Sequence, residues 1–133
     1  MMLTLTLKTS QREELADVTS LIEGVVRDSG VTSGVAICFV PHTTAGITIN
    51  EAADPDVRRD IIYKLSKEIP VQDGYNHAEG NSDAHIKASL MGSSLQVLIE
   101  NGRLVLGRWQ GIYFCEFDGP RTRQLMVKVA QLA

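Results

Sequence analysis

The sequence predicts an α+β domain built on a mainly antiparallel β-sandwich, with about seven strands and two or three helices. Three observations lead there. Runs of alternating apolar residues recur along the chain and concentrate after residue 93. Two amphipathic stretches with helical spacing separate the earlier runs. The dipeptide Asn101-Gly102, between two apolar runs, is a strong two-residue hairpin turn, which makes antiparallel pairing the expectation. With 133 residues the chain is the size of one domain, spanning 1–133, and long enough to bury a core.

The elements follow in order. Leu3, Leu5 and Leu7 alternate with Thr4, Thr6 and Lys8, the period of a strand with one wet face. Gln11 to Asp17 is ambiguous and is compatible with a second short strand. Val18, Leu21, Ile22, Val25 and Val26 recur at helical spacing up to Gly30, with Asp17 or Thr19 as the N-cap. Gly34 to Val40 is apolar after its first residue, which predicts a strand buried on both faces. Gly46 to Asn50 alternates through Ile47 and Ile49. Asp54-Pro55 starts a helix, Val57, Ile61, Ile62 and Leu65 line one of its faces, and Pro70 ends it. Arg58, Arg59, Lys64 and Lys67 fall mostly on the other face and are expected to be solvated. Ala84 to Met91 reads as a short helix with Asp83 as N-cap and His85 in its first turn, aimed back at the preceding loop. Ser94 to Glu100, Arg103 to Leu106, Ile112 to Phe117 and Gln124 to Leu132 complete the strands, the last two joined by Asp118 to Arg123, and adjacent strands in this part are expected to be joined by hairpins.

Composition narrows the function classes. The chain is 44% hydrophobic and 22% charged, as in globular proteins, and its net charge of -3 argues against a nucleic-acid backbone as main partner. No apolar run approaches the roughly 20 residues that span a bilayer, and the first residues lack the basic start and apolar core of a signal peptide. Cys38 and Cys115 sit in apolar runs without CxxC spacing, so two buried thiols in a reducing cytoplasm are expected.

Candidate chemistry gathers in Tyr75 to Gly92, whose polar first half has no apolar period. It holds His77 and His85 with Glu79, Asn81 and Asp83, while His42 follows Pro41 at the end of a strand. Neutral imidazole is a common zinc ligand, and three histidines with an open position make a hydrolytic or Lewis-acid site. The gap between His77 and His85 fits no short zinc signature, and the competing reading is three hydrogen-bonded loop residues. Glu51 and Glu79 are the carboxylates nearest the histidines in sequence, able to orient an imidazole or act as a base. Glu116 shares a face with Ile112 and Phe114, so it must be paired or functional, with Arg121 and Arg123 as possible partners. Those arginines could also hold a phosphate. Trp109, the sole tryptophan, stands between Gly107 and Gly111, suited to stacking on a ligand, to a subunit interface, or equally to core packing. There is no GxSxG and no GxGxxG after a strand.

Several stretches together resemble one family. They are His42-Thr43-Thr44-Ala45 with Asn50-Glu51 and Asp54-Pro55, then His77-Ala78-Glu79-Gly80-Asn81 with Ala84 to Leu90, and then Gly107 to Ile112. This pattern, from about residue 3 to the C-terminus, is similar to the YjbQ-like family, whose members are labelled secondary thiamine-phosphate synthases. The resemblance implies a compact α+β chain containing a β-sandwich, a homotrimer, and a polar site near subunit boundaries. It implies His42, His77 and His85 as the site histidines, holding a divalent metal such as zinc or magnesium, with Glu51, Glu79 and Asn81 around them. Thr43, Thr44, Lys87, Trp109, Arg121 and Arg123 are then the expected substrate-binding side chains. The implied activity joins a pyrimidine diphosphate to a thiazole phosphate with release of pyrophosphate, as a secondary activity. The alternatives are a metal-dependent hydrolase of another small phosphorylated metabolite and a non-catalytic trimeric metabolite-binding protein. One departure stands out: some relatives carry histidine directly after the residue matching Glu116, where this chain has Phe117.

Overall fold

The computed structural model of the chain describes residues 2–133. Its elements run β1 (Met2–Lys8), β2 (Glu14–Asp17), α1 (Thr19–Ser29), β3 (Ser33–Phe39), β4 (Ala45–Glu51), α2 (Pro55–Glu68), α3 (Ser82–Met91), β5 (Ser94–Glu100), β6 (Arg103–Leu104), β7 (Gln110–Glu116) and β8 (Thr122–Gln131). The eight strands form a five-stranded sheet, β1-β8-β3-β5-β6, and a three-stranded sheet, β2-β7-β4. Every pairing is antiparallel. The main core lies between the sheets and under α1, where Ile22, Val26, Ala36, Ile47, Ile99, Phe114 and Leu125 are buried together. Each such large aliphatic or aromatic side chain contributes about 1.5–3 kcal/mol on leaving water. A second cluster, with Leu15, Tyr113, Cys115 and Phe117, is covered by α3 and by Ile61, Ile62 and Leu65 of α2. No helix among the described residues is long and apolar enough to cross a membrane.

Local rules account for most boundaries. Neither Asp17 nor Thr19 is the N-cap of α1: Val18 holds that position and the helix has no side-chain cap hydrogen bond, while the two predicted residues bond beside it. Asp17 Oδ1 accepts from the Thr19 amide at 2.9 Å and the Thr19 hydroxyl at 2.6 Å, and Thr19 Oγ1 accepts from Ile112 N at 2.8 Å. Gly30, with φ 71°, ends the helix in the left-handed region. Asp54 caps α2 by accepting from Asp56 N at 2.9 Å, Pro55 takes the first position, and the helix stops at Glu68, just before Pro70.

Five further expectations are corrected. β3 is buried on one face only: Ile37 and Phe39 are exposed on the outer side of the five-stranded sheet, beside Leu98 of β5. α3 begins at Ser82 with Asn81 in the cap position, because the Asp83 carboxylate turns instead to Arg12 and Lys87. Asp118 to Thr122 does not close a hairpin, since β7 and β8 belong to different sheets and the loop passes between them. Arg58 is not simply solvated: it donates to Leu15 O at 3.2 Å and its guanidinium lies 5.5 Å from the Tyr113 ring centroid. The return strand β6 has two residues rather than four.

Candidate functional site

The corner where β3 leaves one sheet and β4 enters the other carries Pro41 to Thr44. Helix α3 packs across the start of β4, close enough that a Cβ on Gly46 would lie 2.7 Å from Gly92 O. That contact lies at the C-terminal end of the helix, and His85, nearer its N-terminal end, lines the same clefts as His42 of the corner. A cleft of about 380 Å³ results, lined by His42, Thr43, Glu79, Asn81, His85 and Arg121 among others. A second cleft of about 470 Å³ shares His42 and His85 and extends towards Ser89 and Ser93. Two of the three predicted histidines thus face the same space.

His42 is fixed from β8. Its Nε2 accepts the Gln124 amide proton at 2.9 Å, so the lone pair of that nitrogen is engaged. Burial, then the positive charge of Arg123, lower the His42 pKa below the ordinary imidazole value, with Glu116 opposing. His77 meets His85 edge-on, with ring centroids 5.4 Å apart. The His77 Nε2 lies 3.6 Å from Glu79 Oε2, and Glu79 is largely exposed. As folded, the three histidines do not offer three free lone pairs to one ion. Among the described residues no three His, Cys, Asp or Glu side chains converge as a ligand set. His77, His85 and Glu79 have the donor chemistry that zinc takes, but the set that includes His42 does not fit this geometry.

Behind the cleft lies an ordered ion pair. Glu116, fully buried, accepts from Arg123 Nε at 2.8 Å, from Thr9 Oγ1 at 2.7 Å and from Asp118 N at 3.0 Å, and also pairs with an Arg123 terminal nitrogen. Burial pushes the Glu116 carboxyl up, but these hydrogen bonds outweigh it and hold the pKa below the ordinary value. The same Arg123 nitrogen donates to Thr44 Oγ1 at 2.9 Å, tying β8 to the corner. The expectation that Glu116 must find a partner is met by Arg123. Gly119 is required beside it, since a Cβ there would lie 2.3 Å from Gln11 O.

Asp118 was not singled out in the sequence, yet it organises the rim. Its Oδ2 accepts from Arg121 and from Asn81 Nδ2, both at 2.9 Å, and its carbonyl accepts from Arg121 Nε at 2.7 Å. Asn81 Oδ1 is left buried without a hydrogen-bond partner. The available signal was an acid directly after a buried strand and before Gly119-Pro120.

Other predicted residues lie elsewhere. Lys87 is 1% exposed on the inner face of α3, where Nζ pairs with Glu13 at 2.5 Å and Asp83 at 3.0 Å. Arg12 adds a bidentate pair to Asp83 at 3.0 and 3.1 Å. Burial raises the Asp83 pKa, but Arg12 and Lys87 more than reverse it. Lys87 is committed to this cluster and does not face the cleft. Glu51 and Trp109 line a separate hollow of about 270 Å³ at the far end of β4, about 20 Å along the strand from the corner. Glu51 Oε2 accepts from Asp54 N at 3.0 Å, helping to start α2. Trp109 is 55% exposed, which excludes core packing, and the Arg108 guanidinium lies 5.1 Å from its ring centroid. Cys38 and Cys115 are free and buried, their thiols pushed up to about 11 and about 12 by burial.

Comparison with known proteins matches this arrangement to one group. A family model described as UPF0047 protein YjbQ-like covers residues 3–132. The UPF0047 protein YugU of Bacillus subtilis is 52% identical over 130 residues, 97% of this chain and 98% of that protein. A UPF0047 protein of Methanocaldococcus jannaschii is 55% identical over 92% of this chain and 89% of its own. A crystal structure of a YjbQ/UPF0047 family protein from Clostridium acetobutylicum superposes with a TM-score of 0.95 at 59% identity, covering 96% and 99% of the two chains. At 30% identity, a Sulfolobus solfataricus protein still reaches a TM-score of 0.94, covering 99% and 97% of the two chains. Sequence and fold agree across nearly the whole length: the chain belongs to the YjbQ-like UPF0047 family.

Proposed function

We propose that the chain is a transferase of the thiamine-phosphate-synthase type, joining a pyrimidine diphosphate to a thiazole phosphate as a secondary activity beside another reaction on a small phosphorylated metabolite. The observation that carries this reading is the single cleft that gathers His42, Thr43, Glu79, Asn81, His85 and Arg121 from separate segments. In the reaction the thiazole nitrogen forms a C–N bond with the pyrimidine methylene carbon. The C–O bond to the diphosphate breaks, and its electron pair leaves on pyrophosphate. Catalysis requires groups that stabilise this departing charge more than the bound substrate. Arg121 keeps N–H groups beyond those given to Asp118, whereas Arg123 and Lys87 are neutralised by buried carboxylates. In this reading Arg123 and Lys87 shape the site, while Arg121 and the cleft histidines meet the ligand.

Two companion readings belong to the proposal. The exposed apolar side chains Ile37, Phe39 and Leu98 on the outer sheet face support association of copies, as a homotrimer. Two free, buried thiols are compatible with a cytoplasmic setting.

The test is thiamine phosphate formation by wild type and by His42→Ala, His77→Ala and His85→Ala. A drop of about a hundredfold or more is expected for His42→Ala and His85→Ala, the size of one lost charge-stabilising contact. Equal rates in all four proteins would remove the histidines from the mechanism. Metal analysis followed by a screen of small phosphorylated compounds tests the metal-dependent hydrolase, whose hydrolytic activity must vanish in excess chelator. Sedimentation equilibrium reads the mass of the assembly in the same samples.

A further inference from the structure

Two polar groups in the cleft have their hydrogen-bond polarity set by the surrounding chain. The first is His42. A backbone N–H can only donate, so the contact from Gln124 N at 2.9 Å makes Nε2 an acceptor. A neutral imidazole carries one proton, which therefore sits on Nδ1. An imidazolium would turn two protons towards each other at Nε2 and break the contact. The contact itself is clamped. Arg123, the neighbour of Gln124, holds Thr44, which lies two residues after His42, and Glu116 holds Arg123. No described residue hydrogen-bonds Nδ1, and it is not among the buried unpaired atoms, so its N–H is accessible on a side chain that lines the cleft.

The second group is Asn81. Its Nδ2 must be the nitrogen that meets Asp118 Oδ2, because the reversed amide would set two oxygens together. Asp118 is itself held by Arg121, so it acts as an acceptor. Oδ1 is then an acceptor by default, and it is buried without a donor. Buried polar atoms in native proteins are nearly always satisfied, and each exception calls for an explanation.

We propose that the cleft is preset to offer one donor, His42 Nδ1–H, and one acceptor, Asn81 Oδ1, and so selects a phosphorylated compound that carries an N–H or O–H donor close to its phosphate. The anionic oxygen meets His42, and the ligand's donor meets Asn81 Oδ1, which is buried in the free protein and must be uncovered by a shift of the cleft-lining side chains as the ligand enters. This deepens the transferase reading and rests on it for the phosphate. It also gives His42 a role that the three-histidine metal set does not: a neutral hydrogen-bond donor to an anion.

Two measurements test it, and neither needs turnover, so a failed thiamine phosphate assay and a failed cleft polarity are told apart. Nitrogen-15 NMR of the free wild-type protein at neutral pH is expected to show His42 protonated on Nδ1 alone. A proton on Nε2, or on both nitrogens, overturns the proposal. Calorimetry then compares ethyl diphosphate with 2-aminoethyl diphosphate. Wild type is expected to bind the amino compound about tenfold more tightly, the size of one hydrogen bond to a charged group. That advantage should shrink to within about twofold in Asn81→Ala. For both compounds His42→Asn, whose amide nitrogen can stand at the Nδ1 position, should keep affinity, and His42→Gln should lose about tenfold. Equal affinities in wild type, an advantage that survives Asn81→Ala, equal behaviour or the reverse order of the two His42 variants, or no binding of either diphosphate would each overturn it.

Discussion

The molecule contains two buried ion clusters that look alike in composition and differ in redundancy. Between β7 and β8, Glu116 has one cation, Arg123, with a hydroxyl and a backbone amide completing its partners. Beneath α3, Asp83 has two cations, Arg12 and Lys87, and Glu13 shares both of them while accepting from Ser66 at 2.5 Å. The first cluster is tied to the site, since Arg123 also donates to Thr44 at the corner. The second sits behind the helix that carries His85 and fixes the helix itself. A single pair reaches the cleft directly, and a network anchors the scaffold.

Removing the lone cation should have the larger effect. Arg123→Met leaves Glu116 in the core without a counter-charge and frees the Thr44 corner. A loss of about 3–5 kcal/mol in urea unfolding is expected, the usual cost of breaking a buried pair on one side. Lys87→Met leaves Asp83 with Arg12 and Glu13 with Arg12 and Ser66, so a smaller loss of about 1–3 kcal/mol is expected. Urea unfolding of both variants gives the order directly. An order reversed would show that redundancy does not protect the second cluster. The His42 tautomer should change in Arg123→Met and stay as in wild type in Lys87→Met.

Acid should distinguish the clusters with a smaller effect. The Glu116 and Asp83 carboxyls are both held below their ordinary values of 4.5 and 3.8. Below those values the unfolded chain binds more protons than the folded one, so stability rises with pH in that window. The contribution is complete above the ordinary values and is lost as pH falls through the lowered, folded ones. His42, also lowered, acts in the same direction at higher pH: its share is complete above 6.5 and declines as pH drops below that value. Urea midpoints taken from about pH 7 to about pH 3 should fall in wild type and Lys87→Met. In Arg123→Met the Glu116 share of that acid limb should disappear, because the carboxyl no longer has a cation to hold its pKa down.

The sequence made much of this scaffold readable. Alternation located the strands, Asp54-Pro55 and Gly30 set helix ends, and Asn101-Gly102 set a hairpin whose residues have φ 54° and 74°. A carboxylate at Glu116 on an apolar face demanded a partner, and Arg123 was near enough to name. Other features were hidden for physical reasons. An all-apolar run such as Val35 to Val40 reads the same whether its outer face meets a second layer, another copy or water. The turn residues of Asp118 to Thr122 do not say whether the chain pairs back or crosses to another sheet. Lys87 at i+4 from Asp83 could be seen as a helical pair, but Arg12 and Glu13, which complete the cluster, come from far away in the chain. Glu51 lies close to His42 in sequence, yet an extended strand carries it to the opposite end of the sheet.

That separation gives the smallest predicted effect. Trp109→Ala removes an exposed ring beside Glu51, about 20 Å along β4 from the histidine corner. Stability should fall by no more than about 1 kcal/mol, as for surface changes that open no cavity. Binding of 2-aminoethyl diphosphate at the His42 cleft should stay within about twofold of wild type if that cleft is complete within one chain. A larger loss of affinity at unchanged stability would require the tryptophan to reach the cleft from outside its own chain. The two ends of β4 would then belong to one site assembled from two copies, and the contrast between cleft and scaffold would have to be redrawn across the subunit boundary.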